Sequence, residues 1–233
     1  MQNLPLTPSF DSFEEKSSEG NLIPVYAELS ADYETPISVY QKICDGQFSF
    51  LLESAESTDR AGRFSFIGSD PRAVIEARGQ SIKISKGNEV DEFQSESGDP
   101  LKELEIFMSS YLPVPMSGLP VFYGGAVGYL SYDSVRYFEP TIKEPDNDDL
   151  GLPDMVFMIT KNVVIFDHRL RKLLIVSNVY TEQGEDLKTL YDNASKEISK
   201  VIQRLDTSLD FRPLIKGIKT DNVNYKSNTS RDE

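Results

Sequence analysis

The chain has 233 residues, of which 39% are hydrophobic and 27% charged, a balance typical of a folded globular protein that can bury a large core. Acidic residues outnumber basic residues 38 to 24, so the formal net charge is −14 at pH 7. A surface this negative repels phosphate backbones and anionic lipid, which argues against nucleic acid or a membrane as a partner.

The N-terminal segment, residues 1–20, lacks the basic start and the apolar block of a signal peptide. Its serine, proline and glutamate content predicts a flexible lead-in to a domain spanning residues 21–210. No apolar run in the chain reaches the length that a membrane helix needs. We therefore expect a cytoplasmic protein.

The first regular elements are a strand over residues 22–29, whose Pro24 favours a sheet edge or the start of a strand, and a helix that begins at Pro36 after the capping residue Thr35. One apolar stripe of this helix comprises Ile37, Tyr40, Ile43 and Cys44. Cys44 is therefore predicted to be a buried structural thiol. As the single cysteine it excludes an intramolecular disulfide and fits a reducing compartment.

Two apolar runs, residues 48–52 and 64–67, flank a polar segment and predict two strands joined by a long loop. Glu53 and Ser54 come directly after the first strand, and Arg63 comes directly before the second. A carboxylate there can hold an ammonium group, while a hydroxyl and a guanidinium can hold a carboxylate, so the three side chains suit a zwitterion. The spacing alone leaves open that Glu53 and Ser54 are ordinary polar loop residues.

The next elements are strands at residues 73–78 and 81–86, which are hinged at Gly79, and a helix that begins at Pro100. Further strands lie within residues 152–180, and a long helix covers about 185–205. Strands thus cluster between helices instead of alternating with them. This order predicts an α+β fold with mixed, largely antiparallel sheets flanked by helices. It argues against a doubly wound nucleotide-binding fold.

Residues that could form a catalytic centre are scarce. The single histidine, His168, lies in a predicted hairpin turn, where an exposed side chain is expected. One histidine and one cysteine in different settings argue against a zinc site or a Cys–His dyad. We therefore predict no catalytic residue and no metal ligand in this chain.

A glycine-rich stretch, residues 124–128, lacks the lysine and hydroxyl residue that end a phosphate-binding loop. Its glycines instead allow strands or a ligand to approach the backbone closely. The polar residues behind it form either a hydrogen-bonded network or a packed structural corner, and we favour the corner; they are Tyr129, Tyr132, Asp133 and Arg136.

Five motifs carry a family resemblance when they are taken together and in order. They are LLESA (51–55), GRFSFIG (62–68), DPRAVIEARG (70–79), GGAVGYLSYDSVRYFE (124–139) and VVIFDH (163–168). In this order they resemble the N-terminal region of the large subunit (component I) of anthranilate synthase. Residues 230–233, SRDE, have the form of a helix capping box and resemble the start of that family's chorismate-binding domain. We therefore expect residues 211–233 to be a linker to a C-terminal catalytic domain outside this chain.

The resemblance implies a parent enzyme that converts chorismate and ammonia from glutamine to anthranilate and pyruvate, and that L-tryptophan inhibits. It places the chorismate and Mg²⁺ ligands in the C-terminal domain, so no cofactor is expected in this chain, and it implies a glutamine amidotransferase subunit as partner. The resemblance implies a tryptophan site that is shared between the domains. The residues of this chain that it assigns to the site are Leu52, Glu53 and Ser54, and Arg63 is the nearest match to a basic residue of the pocket. The homologous part of aminodeoxychorismate synthase and a stand-alone amino-acid-binding module remain alternatives.

Overall fold

The computed structural model describes residues 5–54, 62–139, 141–142, 148 and 150–209. The strands of this part of the chain, numbered in chain order, are β1 (Leu22–Ser30), β2 (Ser49–Leu52), β3 (Phe64–Ser69), β4 (Ala73–Arg78), β5 (Ser81–Lys86), β6 (Glu89–Gln94), β7 (Ala126–Leu130), β8 (Met155–Ile159), β9 (Asn162–Asp167) and β10 (Lys172–Tyr180). Its α-helices are α1 (Phe10–Lys16), α2 (Pro36–Ile43), α3 (Pro100–Ser109) and α4 (Leu187–Leu205), and a 3₁₀ helix covers Tyr132–Tyr137.

The strands form two five-stranded sheets. The first, sheet A, has the order β1-β10-β9-β3-β2, and the second, sheet B, has the order β6-β5-β4-β8-β7. Neighbouring strands run antiparallel in both sheets. The predicted α+β fold is confirmed. All pairings between the named strands are antiparallel, and an isolated bridge between Leu22 and Pro113 is parallel.

Sheet A has apolar residues on both faces. One face packs against α1, α2 and α4 through a core that includes Ile23, Ile175 and Ile198. The other face packs through Ile165 and Leu174 against β8 and the segment before β7. Because both faces are covered, β9 and β10 are buried along almost their whole length, and their sequences are continuous apolar runs instead of alternating ones.

Sheet B has a smaller core, in which Ile75, Ile82 and Met155 pack beneath α3. The helix contributes Leu101, Leu104, Phe107 and Met108, and Tyr111 follows it, as its apolar spacing predicts. The edge strand β6 was not predicted from the sequence. It is exposed along its length and reads EVDEFQ, so it lacks an apolar stripe and depends on pairing with β5.

Local sequence signals predicted several boundaries correctly. Pro24 lies in β1, an edge strand of sheet A, where the missing N–H is tolerated. Thr35 caps α2 by accepting a hydrogen bond from the Ser38 N–H at 3.1 Å. Strands β4 and β5 have the predicted bounds, and Gly79 between them adopts the left-handed conformation with φ +57°.

Three of the four residues in the predicted stripe of α2 contact the core, since Ile43 is buried and Tyr40 and Cys44 pack against it. Ile37 is instead exposed, and Pro36 and Val39 are buried. Cys44 caps the helix and packs half-buried against the core. Its burial raises the pKa of the thiol to about 11.

Residues 5–20 are ordered and packed, which corrects the expectation of a flexible lead-in. Phe13 of α1 is 0% exposed, and Thr7 exchanges backbone hydrogen bonds of 2.9 and 2.8 Å with Tyr26 of β1. The Tyr191 hydroxyl of α4 donates to the Pro8 carbonyl at 2.8 Å. The aromatic anchor of this segment is not apparent from its polar composition. The linker and capping box predicted at residues 211–233 lie outside the described residues.

Across the part of the chain that the structure describes, none of the helices is both long enough and apolar enough to cross a membrane.

Gly128 lies at the predicted close approach of two strands. A Cβ atom on Gly128 would lie 1.8 Å from the carbonyl oxygen of Val156 in β8. We expect Gly128→Ala to lower the free energy of unfolding by about 1–3 kcal/mol, because backbone must move to admit the methyl group. Urea unfolding measures the change.

Gly46→Ala is the matched control, since a Cβ there meets nothing within 4 Å. It should leave stability unchanged or raise it by up to about 1 kcal/mol. Equal unfolding midpoints for Gly128→Ala and Gly46→Ala would contradict the close approach of Gly128 to the backbone of Val156.

Candidate functional site

The hairpin of β2 and β3 brings the predicted site residues together. Strand β2 ends at Leu52, which pairs with Phe66 of β3, so Glu53 and Ser54 follow at the loop end of the hairpin. Arg63 comes directly before β3 at the same end. A cavity of about 640 Å³ lies there, lined by Leu52, Glu53, Ser54, Gly62, Arg63, Phe64, Phe66 and Phe122. All four predicted site residues therefore line one cavity.

The walls of this cavity are aromatic. The rings of Phe66 and Phe122 meet edge to face with centroids 5.1 Å apart, and Phe64 lies 6.1 Å from Phe66. Phe122 belongs to the segment before β7 and was not predicted as a site residue. The hairpin and Phe122 are separated in the chain by the outer half of sheet B, so no local pattern connects them.

A second cavity of about 660 Å³ adjoins the first and shares Arg63, Phe64, Phe66 and Phe122 with it. On its far side lies an ion pair between Glu28 and Lys172, whose atoms are 2.6 Å apart. Both of these side chains are well exposed to solvent, so water screens the pair. The second cavity is therefore a largely apolar space beside the one that holds Glu53, with one screened ion pair on its lining.

Arg63 is already paired in this site. Its Nη2 donates to Asp167 Oδ2 at 2.7 Å, and its Nε donates to both carboxylate oxygens at 3.2 Å. The guanidinium also lies 4.7 Å from the ring centre of Phe64. Arg63 thus lines the cavity with its charge balanced by Asp167, which leaves the predicted grip on a ligand carboxylate mainly to other groups.

Asp167 is buried, and its protonation is set by opposing effects. Burial by itself raises the pKa of the carboxyl group, but hydrogen bonds from Arg63 and from the backbone N–H groups of Leu170 and Arg169 hold the pKa below its ordinary value. The carboxylate is therefore ionised at neutral pH and fixes the turn between β9 and β10.

His168 lies in the predicted turn and is exposed. Its Nε2 is 2.8 Å from the Ser65 hydroxyl, the arrangement of a nucleophile and its base. Ser65 is buried, however, so a substrate has no access to its oxygen. Among the described residues no group of three or more His, Cys, Asp or Glu side chains is placed to hold a metal ion.

The segment after the glycine-rich stretch contributes to a hydrogen-bonded network around Asp154. The carboxylate of Asp154 accepts from Arg136 at 3.1 Å, from the Tyr137 hydroxyl at 2.8 Å and from the Gly79 N–H at 2.8 Å. Burial, and then the hydrogen bond to Asp154, raise the pKa of Tyr137 to about 12. Of the four residues named from the sequence, Arg136 takes part in this network, whereas Tyr129, Tyr132 and Asp133 are exposed, so the four side chains do not form the favoured packed corner.

Comparison with known proteins defines the class. The model of a family described as chorismate binding enzyme matches residues 17–231. The chain belongs to this family. The match spans the parts predicted to be a regulatory domain and a linker, and that division stays a prediction.

Individual relatives within this family are similar to the chain over most of its length. The chain is 34% identical to anthranilate synthase component 1 of Synechocystis over 98% of its own length and 46% of the relative's. It is 37% identical to the probable anthranilate synthase component 1 of Schizosaccharomyces pombe, over 81% of this chain and 35% of the relative. The resemblance inferred from the motifs is confirmed. The chain spans less than half the length of these relatives.

A solved structure agrees in fold. The crystal structure of anthranilate synthase component I from Streptococcus pneumoniae matches with a TM-score of 0.50 and 24% identity. The match covers 78% of this chain and 37% of that one. Two antiparallel sheets with flanking helices therefore occur in both proteins.

The ion pair between Arg63 and Asp167 predicts that the free energy of unfolding depends on pH. Because the pKa of Asp167 is depressed in the folded state, its contribution is present above the ordinary carboxyl pKa of about 4 and is lost as pH falls toward the folded value. At pH 7, Asp167→Asn should lower the free energy of unfolding by about 1.5–3 kcal/mol. The difference between the variant and the parent chain should shrink as the pH falls below about 4.

Glu28→Gln is the control, since it removes the exposed carboxylate of the adjoining cavity. It should cost at most about 1 kcal/mol. Denaturant unfolding at several pH values measures both variants. An Asp167→Asn effect that stays constant between pH 7 and the acid limit of folding would show that the carboxylate charge is not the cause.

Proposed function

We propose that this chain is the N-terminal regulatory part of an anthranilate synthase component I and contributes to its L-tryptophan feedback site. The observation that carries the proposal is that Leu52, Glu53, Ser54 and Arg63 line one cavity with aromatic walls. These residue types match the two parts of the ligand, since an aromatic amino acid has an apolar ring and a zwitterionic head. The volume of the cavity is in the range of small-molecule pockets.

The head group of tryptophan is matched by the polar residues after β2. In this proposal the Glu53 carboxylate binds the ligand ammonium, and the Ser54 hydroxyl donates to the ligand carboxylate. The indole ring lies against Phe64 and Phe66, where aromatic contacts add to the apolar area buried. Glu53 and Ser54 are exposed, so a further wall from the other domain completes the site.

The catalytic part of the proposal concerns the full-length enzyme. It converts chorismate and ammonia from glutamine to anthranilate and pyruvate, a lyase reaction of tryptophan biosynthesis in the cytoplasm, with a glutamine amidotransferase subunit as partner. The names of the relatives support this assignment. The proposal places Mg²⁺ and the chorismate ligands in the C-terminal domain, as the family resemblance implies.

This chain alone should produce no anthranilate. The single histidine of the chain contacts a buried serine, and the proposed chemistry takes place in the other domain. Incubation with chorismate, Mg²⁺ and an ammonium salt, followed by anthranilate fluorescence, tests this. The full-length enzyme is the positive control, and its product distinguishes anthranilate from aminodeoxychorismate. Turnover by this chain at a rate comparable to the full-length enzyme would overturn the division of labour.

Ser54→Ala in the full-length enzyme should raise the tryptophan inhibition constant by roughly five- to hundredfold. The loss of one hydrogen bond to a charged ligand group corresponds to about 1–3 kcal/mol. Turnover without tryptophan should change little, because the proposed chemistry takes place in the other domain. Inhibition curves and kcat measured on the same preparations test this.

Ser49→Ala is the matched control, since Ser49 begins the strand that Ser54 follows but its hydroxyl is 2.9 Å from that of Tyr40, and Ser49 does not line the cavity. It should change the melting temperature without changing the inhibition constant. An unaltered inhibition constant for a folded, active Ser54→Ala enzyme would reject the ligand contact.

A further inference from the structure

The two edges of sheet B have opposite character. The edge strand β6 reads EVDEFQ and exposes Glu89, Asp91 and Glu92 to water. The other edge strand, β7, reads AVGYL and has no charged side chain. Charged residues on an edge strand prevent pairing with another chain, and natural proteins use them for that purpose. Strand β6 is therefore protected against pairing, and β7 is not.

The backbone of β7 has unused hydrogen-bonding groups along this edge. The Ser131 N–H, just beyond β7, donates to the Asp154 carbonyl at 2.7 Å. Strand β7 stays in register with β8 from Ala126 to Leu130. Because bonded positions alternate in an antiparallel pair, the N–H and C=O groups of Gly128 and Leu130 point away from β8. No strand among the described residues pairs with them.

Large apolar side chains surround the same edge. Leu130 is 40% exposed, and Tyr132, two residues later, is 92% exposed. Leu152, which is 60% exposed, precedes Pro153, whose carbonyl accepts a hydrogen bond from Tyr129 at 3.0 Å. Exposed apolar groups beside an open strand edge are typical of a surface that another polypeptide covers.

We propose that β7 is an internal strand of the full-length protein, and that a strand from its C-terminal half pairs with the open edge at Gly128 and Leu130. The proposal rests on the proposed function in that it takes the full-length protein to have such a half. This chain covers 46% of the Synechocystis relative and 37% of the Streptococcus pneumoniae chain, so a second half of comparable size has room to contribute strands.

A second copy of this chain fits the edge less well. Each copy carries a net charge of −14, so two copies repel one another over the whole of an isologous contact. A covalently attached half needs no such attraction, because its effective concentration at the edge is high.

Amide hydrogen exchange tests the pairing residue by residue. In this chain alone, the amides of Gly128 and Leu130 should exchange at close to the open-chain rate, while that of Tyr129, bonded to β8, is protected. In the full-length protein the amides of Gly128 and Leu130 should exchange at least about a hundredfold more slowly. The Glu92 amide should exchange fast in both proteins. The Ser95 N–H donates to the Gln80 carbonyl, and bonded positions alternate along β6, so the N–H of Glu92 points away from β5.

Proline variants of the full-length protein give an independent readout. Leu130→Pro removes an N–H that β8 does not use, so it should lower the melting temperature of the full-length protein by more than Leu130→Ala does. Glu92→Pro, at the equivalent position on β6, should have a smaller effect. If Leu130→Pro does not fold, exchange on the unaltered protein decides alone.

Each outcome of the exchange experiment supports or overturns the proposal. Equal exchange of Gly128 and Leu130 in the two proteins overturns it. So does protection that grows with the concentration of this chain alone, which indicates a second copy, or protection that requires an added amidotransferase subunit. Neither product nor tryptophan enters the readout. Protected amides in a full-length protein that makes no anthranilate would reject the proposed function and support the strand pairing.

Discussion

The pairing of β3 with β9 positions the whole candidate site. Strand β2 has four residues and bonds only to β3, so the location of Glu53 and Ser54 depends on where β3 is held. Strand β3 is fixed by six register pairs with β9, from Phe64 opposite Asp167 to Ser69 opposite Asn162. The bidentate contact of Arg63 with Asp167 closes this ladder at the end next to the cavity. Anything that displaces β9 therefore displaces the polar side of the site.

The negative charge of the protein bears on which ligand the candidate site can hold. With a net charge of −14, the chain offers little general attraction for a ligand carboxylate. On the proposed function, recognition of a zwitterion avoids this difficulty, because Glu53 would attract the ammonium end and the surrounding negative charge would reinforce that attraction. The Arg63 charge is balanced by Asp167 in the structure. On the proposed function, selectivity then depends on the aromatic walls and the ammonium contact more than on a free cation.

Much of the fold could be predicted from the sequence because its determinants are local. Thr35 and Pro36 define the start of α2, and Gly79 supplies the left-handed turn between β4 and β5. The positions of Glu53 and Arg63 at the ends of two strands also follow from a local signal, the change from apolar strand residues to a polar segment. Elements whose stability comes from distant partners were missed. The polar strand β6 depends on β5, and α1 depends on the single buried ring of Phe13. Phe122 reaches the cavity only through the tertiary fold, so no spacing rule could have found it.

The setting of Cys44 has a practical consequence for work with this protein. A thiol with a pKa of about 11 is ionised in only about one molecule in ten thousand at pH 7, and the thiolate is the reactive form. Alkylating reagents and mild oxidants therefore react with it slowly. A cysteine introduced at an exposed position would have an ordinary pKa and would react far faster, so a fluorophore or spin label can be attached there without first removing the natural thiol.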